Sequence, residues 1–539
     1  MNPEKPLPVD TGRGFSVNYR QRWLYSRHDP TSLALLNCQA APIHEDTLYL
    51  VCSPCLCYGL TALAQRLPAG SAIVTIETDE QLMRLSLETS QDWRDSYPTI
   101  HFLRSVDPTA IINHVDSLSS FKRIIPVSIS AGRQLDEETY DRIEKDLALH
   151  LATRTRNRIA SVRMGRLWLK NIFANLGGLD WSRVSDPPRD SRPVLVAGAG
   201  PSLQASLPFI RENRAGLHVM ACDTAIGCLV QAGIMPDSLV CLEGQIHNIH
   251  DFLPLNRRPV HAFVDLSAHP ASFHTLGGPC TVLLSRWTEN SLIGRLTDGG
   301  LPIWPVPALG SVGVLAIHLA GRFLAGDIYI TGLDFAFPPG LTHCPGSPVS
   351  YFEKARESRL DRQRYSWRNN WRQDTFCAGR GLRSTPVLEM YAASARELLT
   401  DLQTGERPRR LFDLRASRGL DLGLNLGQDV PAPSHEALKC PVQDSGVTPE
   451  AGGAGLEAAA LARFLVAQEA DRIDQLRRIL QGEAPAAALP GLLLELDYLY
   501  SHFPDAERVG GLHLDALRRL ALEARYWLGR LDWAGRSTT

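Results

Sequence analysis

Short apolar runs alternate with stretches of helical periodicity along most of this chain, and that alternation predicts an α/β fold. In "DTLYLVCSPCLCYGLTALAQRL", Leu48 to Val51 read as a strand entering a turn, with a helical pattern from Gly59. "SAIVTIETDE" follows and ends in acidic residues, so residues 45–130 are expected to form a Rossmann-like unit. Its turn lacks the glycines of a dinucleotide fingerprint, and no nucleotide is expected there. After Asp136 apolar residues recur at helical spacing up to a stop at Gly177 and Gly178.

The cluster "SDPPRDSRP", Ser185 to Pro193, marks a boundary, and a regular alternation begins after it. Strands are read at "VLVAGAG", "HVMACD", "SLVCLEG", "HAFVDLS", "TVLLS" and "DIYITGLDF", with helices at "SLQASLPFIREN", "TAIGCLVQAG" and "GSVGVLAIHLAGRFL". Runs apolar throughout their length suit strands covered on both faces, so a doubly wound, mostly parallel sheet is expected. Ligands of such sheets bind beyond the carboxyl ends of strands.

After Glu389 the periodicity becomes helical, with one more strand-like piece at "RLFDLRASRGL". A Pro, Gly and Ala-rich linker near 430–455 precedes three helical patterns, "LEAAALARFLVAQEADRIDQLRRIL", "LPGLLLELDYLYSHF" and "LHLDALRRLALEARYWLGRLDW". The expected organisation is a Rossmann-like N-terminal domain (1–135), a helical connector (136–190), a central catalytic domain (191–385) and a mainly helical C-terminal domain (386–539) ending in a small bundle.

Composition narrows the class without changing this layout. Hydrophobic residues at 44% and charged residues at 21% of 539 are ordinary for globular chains. No apolar run approaches the ~20 residues of a spanning helix and no signal core opens the chain, so a cytoplasmic protein away from the membrane is expected. A net charge of -2 argues against a nucleic-acid partner, although "RLDRQRYSWRNNWR" (Arg359 to Arg372) is locally basic and aromatic. Eleven cysteines without a secretory signal read as reduced thiols, and the C-x-x-C within Cys52, Cys55 and Cys57 as filling of a strand and turn.

The candidate chemistry starts at Gly198-Ala199-Gly200-Pro201-Ser202. A strand followed by Gly-x-Gly lets a backbone approach phosphate oxygens, and the next helix offers N–H groups at its start. Leu203 stands where a dinucleotide pattern has its third glycine, while Asp223 at the next strand end keeps a ribose contact open. A tight turn without ligand is the remaining reading.

"VLVAGAGPSL", "HVMACDTAIGCLVQAGIMPDSLVCLEGQIHN" and "GSVGVLAIHLAGRFLAGDIYITGLDFAFPPGLTHCPG" together resemble the motility-associated-factor (Maf) flagellin glycosyltransferases and their 6-hydroxymethylpterin diphosphokinase-like central domain. "LYLVCSPCLCYGL" resembles that family's N-terminal domain more loosely. The resemblance implies transfer of a nonulosonic acid, pseudaminic or legionaminic in type, from a CMP-sugar to Ser or Thr hydroxyls of flagellin. It also implies a central sheet similar to bacterial sialyltransferases. Carried over, Gly198, Gly200, Pro201, Ser202, Asp223, Thr224, Glu243, Gln245, Gly310, Ser311, Val312 and Gly332 would bind the nucleotide. Glu243-Gly244-Gln245 departs from the more frequent Asp-Pro-Gln, and the sialyltransferase tyrosines are replaced by Ala336 and His343, whereas Thr342-His343 follows the Maf pattern.

Such a transfer needs a base at the acceptor hydroxyl and a carboxylate to orient it or to stabilise developing positive charge, and the resemblance makes His343 and Asp334 the leading pair. CMP is a monophosphate leaving group, so helix-start N–H groups are expected to suffice, with no metal or other cofactor required. His247 and His250 have metal-like spacing but no second ligand pair, and read as loop residues. Two other readings stay open: a pterin diphosphokinase using ATP and magnesium, and a non-catalytic flagellar assembly or chaperone protein.

Overall fold

A computed structural model describes residues 5–119, 121–287, 290–360, 374–405, 407–415, 418–424 and 453–536. Most of the Arg359–Arg372 cluster and nearly all of the linker near 430–455 lie outside the described residues. The chain forms two compact units, residues 1–159 and 160–539. No helix among the described residues is long and apolar enough to cross a membrane.

The first unit opens with a small antiparallel sheet, β1 (Leu7–Asp10), β2 (Phe15–Tyr19) and β3 (Arg22–Trp23). No apolar run announced these strands, because they are short and several of their residues face solvent. The expected α/β layer follows as a parallel sheet of β4 (Thr47–Cys52), β5 (Ala72–Ile76), β6 (Ile100–Leu103) and β7 (Arg123–Pro126), in the order β6-β5-β4-β7. Leu48 and Leu50 pack on one side against Ile111, Val115 and Tyr140, while Tyr49 and Val51 pack on the other against Cys38, Leu60 and Leu63. Burial on both faces is the cause of the unbroken apolar run.

The turn after β4 is closed by the protein's own side chains. Ser53, Cys55 and Cys57 all adopt positive φ, Ser53 donates to Glu77 Oε2 at 2.7 Å, and Tyr140 OH donates to Glu77 Oε1 at 2.8 Å. A single helix, Glu137–Gly178, runs from this unit into the next and stops at the expected Gly-Gly pair.

Eight parallel strands form the sheet of the second unit: β8 (Val194–Ala197), β9 (His218–Cys222), β10 (Ser238–Cys241), β11 (His261–Asp265), β12 (Cys280–Arg286), β13 (Ile303–Pro307), β14 (Ile328–Thr331) and β17 (Leu411–Asp413). The remaining pair, β15 (Phe376–Cys377) and β16 (Arg383–Ser384), is a separate antiparallel ribbon. β13 contains Pro305 and Pro307 and was missed as a strand; it lies at the sheet edge, where a missing N–H removes no ladder bond.

The order β13-β12-β11-β10-β9-β8-β14-β17 means that the chain winds outward from β8 in one direction, then returns to β14 on its other side. The topological switch point is therefore between β8 and β14. Helices cover both faces, as the doubly wound reading required. Val196, Met220 and Val240 pack against Val314, Leu315 and Ala395, and Leu195, Val219 and Leu239 against Leu207, Ile172 and Phe173.

The C-terminal helices Gly453–Leu480 and Leu514–Arg536 form with the expected periodicity and contribute Ala462, Ile473, Leu520 and Trp527 to the second of these cores. The middle pattern is not one helix. It stops at Glu495 and continues as a tight turn over Asp497–Leu499, because Asp497 accepts the N–H of Ser291 at 3.0 Å and Leu496, Tyr498 and Leu499 turn inward.

Candidate functional site

The turns after β8 and β14 cross with almost no space between them. Gly198 N–H donates to Thr331 O at 2.9 Å and Gly200 N–H to Gly332 O at 2.8 Å. A Cβ on Gly332, which has φ +66, would fall 1.9 Å from Gly198 O, and one on Gly198 would fall 2.3 Å from Gly332 O. A Cβ on Gly200 would meet Asp334 Oδ2 at 2.6 Å. The glycines are thus required first by a backbone crossing between two strands.

Ser202, at the start of the Ser202–Glu212 helix, is fully buried and gives Asp334 both its N–H, at 2.8 Å to Oδ2, and its hydroxyl. The same hydroxyl accepts the N–H of Gly332 at 2.9 Å. The Ser202 N–H that could serve a phosphate is therefore taken by a protein carboxylate. Burial pushes the Asp334 carboxyl up to about 6 against the opposing effect of the Ser202 hydrogen bonds and of Arg415. Arg415, paired with Asp413 at 2.7 Å in a buried salt bridge, donates to Leu333 O at 3.0 Å and fixes the segment that carries Asp334.

Beyond these turns lies a cavity of about 570 Å³. Of the sequence-predicted residues, Gly198, Gly200, Asp223, Thr224, Ser311, Val312, Gly332, Asp334 and His343 line it, and Pro201, Ser202, Glu243, Gln245 and Gly310 do not. Ser202 is sealed beneath Asp334, and Glu243 turns back to accept the N–H of Gln245 at 2.9 Å. Gly310 supplies a left-handed turn, φ +68, that leads the chain into Ser311.

His343 is half-buried, and desolvation holds its imidazole below the usual range. Its Nδ1 lies 3.1 Å from Thr342 Oγ1, and both carboxylate oxygens of Asp334 are bonded to Ser202. The two residues share one cavity, yet no hydrogen bond joins them among the described residues. The next N–H, of Cys344, donates to Ala199 O at 2.7 Å and ties the histidine loop to the turn after β8.

Across the cavity the helix Val312–Phe323 begins with Ser311 as N-cap, extended and making no side-chain cap. Ser311, Val312 and Gly313 line the space, so a helix start without a side-chain cap, where the first N–H groups have no intrahelical partner, borders it. Asp223 is buried, and its desolvated carboxyl is raised although Thr224 N–H donates to it at 2.8 Å and Asn248 at 3.0 Å. Asn248 also donates to Asp251 at 2.8 Å, whose carboxyl burial pushes up to about 7.

The sequence reading missed the far wall, Asp374, Thr375, Thr385 and Leu388. A signal existed only for Thr385, which caps the Pro386–Thr404 helix by accepting from Leu388 N–H in the readable order Thr-Pro. His247 and His250 are exposed away from the cavity, with His250 against the Phe352 ring, and among the described residues no group of three or more metal-ligating side chains occurs.

Residues 168–340 match the family described as 6-hydroxymethylpterin diphosphokinase MptE-like. A protein of Treponema pallidum is 28% identical over 555 residues, covering 98% of this chain and 95% of its own. A 6-hydroxymethyl-7,8-dihydropterin pyrophosphokinase of Methanothermobacter thermautotrophicus is 30% identical over 28% of this chain and 62% of its own. Among solved structures, a Maf glycosyltransferase from Magnetospirillum magneticum AMB-1 superimposes with a TM-score of 0.53 at 12% identity, covering 99% of this chain and 93% of that one. An MptE-like central region within the fold of a Maf glycosyltransferase is the combination that the sequence resemblance described.

Proposed function

We propose that this chain, MptE-like at its centre and Maf-like in fold, is a glycosyltransferase that moves a nonulosonic acid from a CMP-sugar to Ser or Thr hydroxyls of flagellin. One observation carries the reading: the cavity at the β8/β14 switch point combines a desolvated histidine, His343, with the open helix start at Ser311–Gly313. The acceptor hydroxyl oxygen bonds to the anomeric carbon as the bond from that carbon to the CMP phosphate breaks. Neutral His343 takes the hydroxyl proton. The phosphate of the departing CMP is met by the N–H groups of Val312 and Gly313.

Asp334 keeps the negative charge of a carboxylate beside the oxocarbenium-like centre and, through Ser202, holds the cavity floor. Asp223 and Thr224 border the nucleotide. No metal ion is needed in this reading, so transfer should persist in a chelator. The test is the mass of flagellin from cells lacking this chain; an unchanged mass would overturn the proposal.

The match to a pterin pyrophosphokinase supports a second reading, diphosphate transfer from ATP with magnesium. Stabilisation by CMP and not by ATP with magnesium selects the first reading, and the reverse selects the second.

A further inference from the structure

Two thiols meet behind the loop that carries His343. Cys228 lies on the Ile226–Gln231 helix, which starts just after Asp223 and Thr224, and Cys344 follows His343 directly. Both are free and buried, 2% and 0% exposed. The Cys228 S–H donates to Cys344 O at 3.5 Å, and the Cys344 S–H faces Pro345 O at 3.5 Å and Gln204 Oε1 at 3.7 Å. Glycine on either side permits the approach. A Cβ on Gly227 would stand 2.3 Å from Gly346 O, and one on Gly346 would stand 3.2 Å from the Cα of Cys228.

The pair is chemically unequal. The neighbouring Cys228 side chain holds the Cys344 thiol below its usual range, while Cys228 itself is raised. A sulfur predisposed to ionise beside one that keeps its proton suits an attacking thiol and its resolving partner.

We propose that Cys228 and Cys344 form a reversible oxidation site, closed to a disulfide by hydrogen peroxide, that clamps the His343 loop to the Ile226–Gln231 helix. The Cys344 thiolate attacks one peroxide oxygen, the O–O bond breaks, and a sulfenic acid and one hydroxide result, the latter leaving as water. The Cys228 sulfur then attacks the sulfenic sulfur; the S–S bond forms and the second oxygen leaves as water with the Cys228 proton. Two thiols lose two electrons and two protons, and the peroxide becomes two waters. The bridge joins positions 116 residues apart, and the segments it ties, Asp223–Thr224 with its helix and Thr342–His343, border one cavity.

The experiment treats the full chain with hydrogen peroxide, maps disulfides by peptide mass spectrometry without reductant, and follows amide exchange before and after. The expected result is a Cys228–Cys344 bridge, reversed by dithiothreitol, with exchange in residues 342–346 slowed by about tenfold or more. Cys228→Ser should lose both the bridge and the slowing, and Cys344→Ser serves equally if that variant folds poorly. A map without this bridge, or a bridge that leaves exchange in 342–346 unchanged, overturns the proposal. Neither readout involves a sugar nucleotide, so the result is independent of the proposed transfer reaction.

Discussion

Asp334 holds Ser202 at two points, accepting its backbone N–H at 2.8 Å and its hydroxyl, and so places a carboxylate at the helix start where the Gly-Pro-Ser turn suggested a phosphate. Both residues are buried, and the pair links the turns after β8 and β14. Replacing Asp334 by Ala leaves a buried N–H and a buried hydroxyl without their acceptor. The expected loss is about 1–3 kcal/mol, read as a lower denaturant midpoint at unchanged slope.

The same carboxyl gives stability a pH dependence. Its folded value, about 6, lies above the ordinary 3.8, so the folded state binds the proton more tightly than the unfolded state. Stability from this group is present below the ordinary value and declines as pH rises toward 6, then levels off. The difference between wild type and Asp334→Asn, measured by denaturation across pH 3.5–7 (about the window set by those two values), should carry this slope. A flat difference curve would remove the raised carboxyl from the account.

Desolvation of His343 favours its neutral form, so the proposed base is ready below the usual imidazole range. With His343 already neutral, transfer should rise with pH as the Asp334 carboxyl ionises near 6 and reach its plateau by about pH 7. His343→Ala should cut transfer by about 10²–10⁴-fold while CMP still binds. A variant with wild-type rates would take His343 out of the mechanism.

The helix start at Ser311 offers a test in which binding and stability move in opposite directions. An Asp at the N-cap can accept the N–H groups left uncapped there and complements the helix dipole. Ser311→Asp is therefore expected to stabilise the fold by about 0.5 kcal/mol or more and to weaken CMP binding, by calorimetry, by roughly tenfold. Equal or tighter CMP binding would place the phosphate elsewhere.

In the C-terminal region, buried Glu469 receives Arg295 through two bonds, at 2.7 and 2.8 Å, and the Tyr498 hydroxyl at 2.8 Å. Glu469→Ala removes the acceptor of the phenol and two of the guanidinium's bonds, leaving Arg295 the one to Glu495 O at 2.9 Å. We expect a loss of about 3 kcal/mol in chemical denaturation, compared with a far smaller effect at the exposed Glu507.

Much of the central fold was legible because parallel strands covered on both faces must be apolar throughout, as in "VLVAGAG" and "HVMACD". The strand at Ile303–Pro307 was hidden by its prolines, which only an edge position tolerates. At the site, Asp223, Ser311 and Asp334, singled out at strand ends and a helix start, reach one cavity together with His343, which the family resemblance singled out. Asn248 and Arg415 had no readable role, since each acts on a residue distant in the chain.

The amino-acid pattern by itself determined the α/β class, the strand-to-turn placement of the glycines and the identity of the titratable groups, because these depend on local periodicity and on covalent neighbours. Only the tertiary structure decided how those groups are spent. Whether a helix-start N–H meets a ligand or a protein carboxylate depends on which turn crosses it. The return of the chain from β13 to β14 brings Asp334 to Ser202 and leaves the start of the Val312 helix open to the cavity.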